Sequence, residues 1–243
     1  MLRILVGAGA LLASGGIWLL TTDFAERDAA RVADLPQVFP EEVQGLVPGK
    51  SVLLEGRLAS PEPAGPQGFV VYRRERFNGL EESGAMKGRE KWLGLGTVTP
   101  AIAVESGSAS VAVSNRDYRL NHEPHVWLSD VIPRYLSVVD ATERLRGFKA
   151  GDRVTLEGRV VPGVGEPRAP QRLEATVLFG GGAAAYVESV RGGVLVVKIV
   201  GTVFVGLGLL MMGVCGWWLL AIKKAVTPPR VKNNSHQTTD RER

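Results

Sequence analysis

The feature that most constrains the fold of this chain is an uninterrupted apolar run near its C-terminus. The segment Ile199–Ile222 contains no charged residue. As a helix rising ~1.5 Å per residue it would be roughly 36 Å long, more than the ~30 Å hydrocarbon core of a bilayer. A core helix of a soluble protein seldom runs this long without a charge. We therefore expect residues 193–224 to form a transmembrane helix.

Residues suited to a membrane interface lie at the end of this run. Trp217 and Trp218 are inside it, and Lys223 and Lys224 follow it directly. Amphipathic rings favour the headgroup level, and lysines next to a span mark its cytoplasmic side. These four side chains are the predicted contacts with the bilayer interface at this end.

A second apolar run, Ile4–Thr22, lies at the N-terminus and contains Trp18, another candidate interface residue. A cleavable signal peptide would use the small residues of Ala13–Gly15 as its cleavage site. The apolar run continues past that site, however, which favours an uncleaved transmembrane helix over residues 1–22. Small residues spaced four apart can let another helix approach closely, which would permit an oligomer. The alternative is that they simply fill the span. They are Gly9 with Ala13, and Ala10 with Ser14.

Charge predicts the topology. Six basic and two acidic residues follow Ile222, and this excess equals the formal net charge of +4. Because Arg3 flanks the other span, the positive-inside rule places both termini in the cytoplasm and the central region on the opposite side. Residues 225–243 lack apolar anchors and are predicted to be a disordered basic tail. The excess of basic residues therefore reflects membrane orientation, and nucleic acid is not an expected partner. Composition typical of a GC-rich bacterium suggests an inner membrane.

The sequence contains little that points to catalysis. Its single cysteine, Cys215, excludes an intrachain disulfide and a thiolate cluster. His122 and His125 are the candidate metal ligands, but Pro124 between them forbids the helical spacing of a metalloprotease motif. No nucleophile elbow, phosphate-binding loop or dinucleotide fingerprint is present. We therefore predict no metal, no cofactor and no catalytic residue.

An internal repeat is the clearest signal in the central region. Gly49–Leu58 resembles Gly151–Val160, each with a leading glycine, alternating apolar residues and the tripeptide Glu-Gly-Arg. The leading glycine is typical of a turn, and the inner glycine, Gly56 or Gly158, of a β-bulge or barrel bend. The repeat therefore predicts two equivalent strands of one small barrel or sandwich.

Charged residues of the repeat define a candidate binding face. Glu55 and Arg57 lie two apart on one strand, as do Glu157 and Arg159, so each pair shares one side of its strand. One interpretation is a groove for a polar ligand. The alternative is a solvated strand face with cross-strand charge pairs.

The remaining pattern predicts a mainly β domain over residues 49–192. Short strands alternate with turn residues, which favours an antiparallel barrel or sandwich with an OB-like fold as one form. Residues 23–48 are predicted to be a short amphipathic helix or a linker. The segment Asp117–Arg146 has weak periodicity and is predicted to be a long insertion or loop. The fold class is thus two transmembrane helices flanking a mainly β soluble domain.

The order of these elements resembles the GIDE/MULAN-type family, which includes mitochondrial outer-membrane E3 ubiquitin ligases and bacterial and archaeal relatives. The resemblance rests on Phe69–Arg74, on the hairpin Ala101–Val113, on the strand Glu143–Gly158 and on Tyr186–Ser189 before the second span. It implies a β-rich domain held beside a membrane between two spans. The ligases of this family carry a zinc-binding RING, whereas residues 223–243 contain no cysteine and only His236. Ligase activity is therefore not implied.

Three functional hypotheses follow. The first is a non-catalytic membrane-anchored domain that binds a protein, peptide or lipid partner beside the bilayer. The second is a membrane-proximal enzyme, such as a hydrolase using His122, Glu123 or Asp130. The third is a ligase-like scaffold that recruits a catalytic partner through its tail.

Overall fold

The computed structural model describes residues 22–60, 62, 64–83, 87–129, 142–163 and 169–226. The chain divides into two compact units. One is the β-domain, Glu26–Gly193, and the other comprises Met1–Ala25 together with Val194–Arg243.

The β-domain is built from short strands, as the sequence predicts. In chain order they are β1 (Gln37–Val38), β2 (Ser51–Ala59), β3 (Phe69–Leu80), β4 (Glu90–Val98), β5 (Ala103–Ser106), β6 (Ala109–Ala112), β7 (Arg119–Asn121), β8 (His125–Leu128), β9 (Glu143–Lys149), β10 (Arg153–Val161) and β11 (Arg172–Gly180). A seven-stranded sheet has the order β6-β5-β2-β10-β11-β7, with β1 added in parallel to β2. A four-stranded sheet has the order β4-β3-β9-β8.

The described helical segments are few. Residues 22–33 form a helix, here α1, whose apolar positions have helical spacing. It ends before Pro36, so a helix occupies the first part of the segment predicted to be a short helix or a linker. The others are the short α2 (Pro40–Val43), a 3-10 turn at Pro66–Gly68, and the long α3 (Ala183–Val226).

The two copies of the repeat form the centre of the large sheet. Strands β2 and β10 are antiparallel neighbours, and the equivalent residues Leu54 and Leu156 lie directly opposite each other. The two turns make matching backbone bonds: Gly49 N donates to Val160 O at 2.7 Å, and Gly151 N donates to Leu58 O at 2.8 Å. The repeat therefore generates a local two-fold axis, and the prediction of two equivalent strands is confirmed.

The inner glycines of the repeat are required by close strand contacts. A Cβ on Gly56 would lie 2.6 Å from Glu105 O, and one on Gly158 would lie 2.5 Å from Glu174 O. The register shifts between Glu157 and Gly158 against β11, so the predicted bulge is present in the second copy.

The main core lies between the two sheets. Leu54, Leu156 and Leu178 of the large sheet pack in one buried cluster with Val71 and Phe148 of the small sheet. Successive residues of a strand face opposite sides, so the neighbours of these residues point away from this core. A second apolar cluster consequently forms on the other face of the large sheet.

One prediction is wrong. The segment Asp117–Arg146 was predicted to be a loop, but it contains β7, β8 and most of β9. Strands β7 and β8 have only three and four residues, and β9 carries four charged residues among its seven. Runs that are this short or this rich in charge give no extended alternation of apolar and polar residues, which is the sequence signal of a half-buried strand.

The described residues contain one helix that is long and apolar enough to cross a membrane. The candidate span is Ala183–Trp218, 36 residues, within α3. Trp217, Trp218, Lys223 and Lys224 lie in this helix, and both tryptophans are exposed. The predicted first span, with Trp18 and its small-residue faces, and the tail from residue 227 lie outside the described residues.

Candidate functional site

The four residues of the predicted binding face lie on one side of the large sheet. Glu55 is opposite Thr155, Arg57 is opposite Arg153, and Arg159 is opposite Ser51. Directly opposed residues of antiparallel strands share a face. This is the face turned away from the main core, and we call it the outer face.

Two helices cover part of the outer face. Leu53, Val177 and Phe179 of the sheet form a buried cluster with Val32 of α1 and with the first turn of α3, at Ala183 and Tyr186. Leu35, Val187 and Val190 pack around it. Two of the binding-face residues, Glu55 and Glu157, hydrogen-bond to these helices.

Glu157 is the polar centre of this junction. Its side chain is 9% exposed, and Oε1 accepts a hydrogen bond from an Arg31 guanidinium nitrogen at 2.8 Å. Its other oxygen, Oε2, accepts a short hydrogen bond from the Tyr186 hydroxyl. A buried carboxylate is stable as an anion only when it is paired and hydrogen-bonded. One side chain of β10 therefore contacts both helices through charge-assisted bonds.

Arg31 is itself held by α1. Its guanidinium donates to Asp28 Oδ1 at 2.8 Å, one turn earlier in the helix. The Asp28 hydrogen bond and the Glu157 carboxylate raise the pKa of Arg31 above its ordinary value, against the opposing effect of burial. The arginine is thus a permanent cation aimed at the sheet.

Glu55, the equivalent residue of the first repeat, binds the start of α3. Its Oε2 accepts a hydrogen bond from Ala183 N at 2.8 Å, and its Oε1 accepts one from Arg153 Nε at 3.0 Å. The first amides of a helix have no partner within the helix, and a carboxylate there is favoured by the helix dipole. Glu55 therefore caps α3 from a distant strand.

The two arginines of the predicted face have more exposed roles. Arg57 donates to Gly151 O at 3.0 Å, which ties β2 to the turn before β10. Arg159 pairs across the sheet with Glu174 at 2.8 Å, and both side chains are largely exposed.

A polar groove of about 530 Å³ lies over the bulge beside Glu157. The bulge leaves Thr176 outside the register, and its hydroxyl donates to Glu157 O at 2.9 Å. Asn115 makes two hydrogen bonds with the backbone of Ala175 along the groove. Charged residues line the rest of it: Arg31, Arg119, Arg159, Asp117, Glu157 and Glu174. Bulges commonly re-aim side chains beside functional sites.

The histidine turn does not converge on a metal-binding arrangement. The His122 ring stacks on Phe179 with centroids 5.2 Å apart, in a left-handed backbone conformation. Glu123 pairs with Arg73 at 2.8 Å, and His125 Nε2 lies 2.9 Å from Asp152 Oδ1. Among the described residues there is no group of three or more side chains able to hold a metal ion. Asp130, the third residue of the enzyme hypothesis, lies outside the described residues.

Sequence reasoning missed Arg31 and Tyr186. Arg31 lies in α1 and Tyr186 in the first turn of α3, and their common partner is more than a hundred residues away from Arg31 in the chain. The available signal was the helical spacing of Asp28, Arg31 and Leu35, which puts a charge beside the apolar stripe.

Comparisons of the chain with family models, with characterised proteins and with solved structures gave no match. The functional conclusion therefore rests on the geometry above.

Proposed function

We propose that this protein is a non-catalytic, membrane-anchored binding module whose β-domain recognises a partner beside the bilayer. The proposed location is a bacterial inner membrane, with both termini in the cytoplasm and the β-domain on the opposite side. Support for the anchor comes from the length and apolar composition of α3. The architecture in this proposal resembles the membrane module of GIDE-type proteins without their RING.

The observation that carries the proposal is the position of the groove. It shares Arg31 and Glu157 with the junction that binds α1 and α3 to the sheet. A partner in the groove would contact the same charges that hold both helices. Binding there would consequently act on the elements that lead toward the anchor.

The lining of the groove favours a polar segment of a protein as the partner. Three arginines, three carboxylates and the hydroxyl-bearing Thr176 are among its lining residues. Glu157 and Glu174 pair with arginines of the same groove, and a bound segment could exchange those pairs for its own charges, because arginine binds carboxylates bidentately and carboxylates accept from lysine, arginine or amide donors. A mixed surface of this kind fits a peptide segment with both charges better than a single phosphate group.

Site-specific photo-crosslinking in living cells tests this proposal. A benzoylphenylalanine residue placed at Arg119, an exposed groove position, should yield a protein adduct of one defined mass. The control position is Val126, which is 57% exposed on the small sheet. The charge-reversed background Arg159→Glu should reduce the adduct.

Two outcomes would overturn the proposal. Equal adduct patterns from the two positions would show that the groove has no specific partner. An adduct that carries only lipid mass would assign the groove to a headgroup instead of a protein segment.

A further inference from the structure

The three carboxylates that line the groove differ in how their charges are balanced. Glu157 pairs with Arg31 at 2.8 Å, and Glu174 pairs with Arg159 at 2.8 Å. The third, Asp117, has no lysine or arginine partner among the residues that the structure describes. Its charge is therefore left for a bound partner to neutralise.

The alternation of side chains directs Asp117 away from the main core. Tyr118 and Leu120 both belong to the core between the two sheets. Their neighbours along an extended chain point to the opposite side, which places Asp117 and Arg119 together on the wall of the groove. Both residues are exposed, yet they form no ion pair with each other. A ligand can therefore reach the Asp117 carboxylate without displacing another side chain from it.

Asn115 fixes the orientation of this carboxylate. Its Nδ2 donates a hydrogen bond to Asp117 Oδ1 at 2.5 Å. The amide of Asn115 is itself bound at both ends to the backbone of β11, because its Oδ1 accepts from Ala175 N at 2.8 Å and its Nδ2 donates to Ala175 O at 2.7 Å. Asp117 Oδ2 accepts no hydrogen bond from any described residue. A side chain that is held in place before binding loses less conformational entropy when a ligand arrives.

We propose that Asp117 determines the specificity of the groove by binding a lysine or arginine side chain of the partner segment. This inference rests on the proposed function, because it names the residue type that the groove selects in a bound peptide. Hydrogen bonds to a charged donor are roughly twice as strong as those between neutral groups. A basic side chain at Asp117 Oδ2 is therefore preferred over a serine, threonine or amide donor.

A peptide selection tests the preference. The full chain in lipid nanodiscs is screened against random linear peptides displayed on phage, and the selected peptides should share a lysine or arginine at one position. Asp117→Asn keeps the size of the side chain without its charge, and it should abolish the shared basic position. Glu82→Gln is the matched control, since it removes an exposed carboxylate between β3 and β4 of the other sheet. It should leave the preference unchanged.

Titration with a matched pair of peptides gives the size of the effect. One is a selected peptide, and the other has glutamine in place of its basic residue. The unaltered chain should bind the first roughly tenfold more tightly, since a charge-assisted hydrogen bond is lost in the second. The Asp117→Asn chain should bind both peptides equally. Equal affinities in the unaltered chain would overturn the inference.

The outcomes separate this inference from the proposed function. Absence of any selected peptide, or peptides that bind Arg159→Glu as tightly as the unaltered chain, would overturn the peptide-binding groove and this inference with it. Peptides that need Arg159 but share no basic position, or keep it with Asp117→Asn, would leave the groove in place and overturn only the role of Asp117.

Discussion

Glu55 and Glu157 occupy equivalent positions of the internal repeat, and both bind the start of α3. Glu55 accepts a hydrogen bond from the amide of Ala183, and Glu157 accepts one from the hydroxyl of Tyr186. The two-fold axis between β2 and β10 thus places two carboxylates under one helix. Only Glu157 also contacts α1, through Arg31. The junction between the β-domain and its flanking helices therefore depends on one member of the pair more than on the other.

Glu157→Gln should loosen both helices. The variant keeps the size of the side chain but removes the charge that pairs with Arg31, and losing a buried charge-assisted bond costs about 1–3 kcal/mol. Hydrogen exchange should increase in residues 26–33 and 183–190. Glu174→Gln is the matched control, because the Glu174–Arg159 pair is largely exposed and such pairs contribute at most about 1 kcal/mol. Equal exchange in the two variants would contradict a central role for Glu157.

Gly158→Ala should destabilise the β-domain. The new methyl would lie 2.5 Å from Glu174 O and 3.0 Å from Ala175 Cα, so backbone must move in the centre of the sheet. Overpacking of this kind costs about 1–3 kcal/mol. Gly45→Ala is the control, since its methyl would meet its nearest neighbour, Glu42 O, at an ordinary 3.6 Å. The thermal unfolding midpoint of Gly158→Ala should be lower than that of Gly45→Ala. Similar midpoints for the two variants would refute the steric argument.

Acid should weaken the small sheet through Glu143. Hydrogen bonding from Arg74, with a further contribution from Arg76, lowers the pKa of this carboxyl below its ordinary value of 4.5. A carboxyl whose pKa is lower in the folded state than in the unfolded state stabilises the fold at pH values above its unfolded-state pKa. This stabilisation is lost as the pH falls through the folded-state pKa. Glu143→Gln should therefore reduce the loss of thermal stability between neutral pH and pH values below 4.5. Identical pH profiles for the two proteins would show that Glu143 makes no such contribution.

Cysteine labelling should reveal the proposed topology. In a Cys215→Ser background, Lys50→Cys places a thiol at an exposed position of the β-domain. A membrane-impermeant maleimide should label it in intact cells whose outer membrane has been opened. His236→Cys in the tail should react only after the inner membrane is permeabilised. The reverse labelling pattern would show that the proposed orientation is wrong.

Much of the local structure could be predicted from neighbouring residues. The apolar run at Ile199–Ile222 lies in one long helix, and the repeat predicted equivalent strands with a bulge at Gly158. These features depend on hydrophobic periodicity and on the conformational freedom of glycine, and both are determined by residues close together in the sequence. The strands within Asp117–Arg146 were missed because β7 and β8 are too short, and β9 is too rich in charge, to show an alternating pattern.

The candidate binding surface depends on pairings between distant parts of the chain. Nothing near Glu157 in sequence indicates that it would meet Arg31 and Tyr186, since those contacts follow from the docking of two helices on one sheet face. Likewise β4 has the composition of an ordinary strand, and its place at the edge of the small sheet follows from the order of strands. A sequence encodes local periodicity through neighbouring residues, whereas strand order and burial arise only when apolar surfaces far apart in the chain are removed from water together.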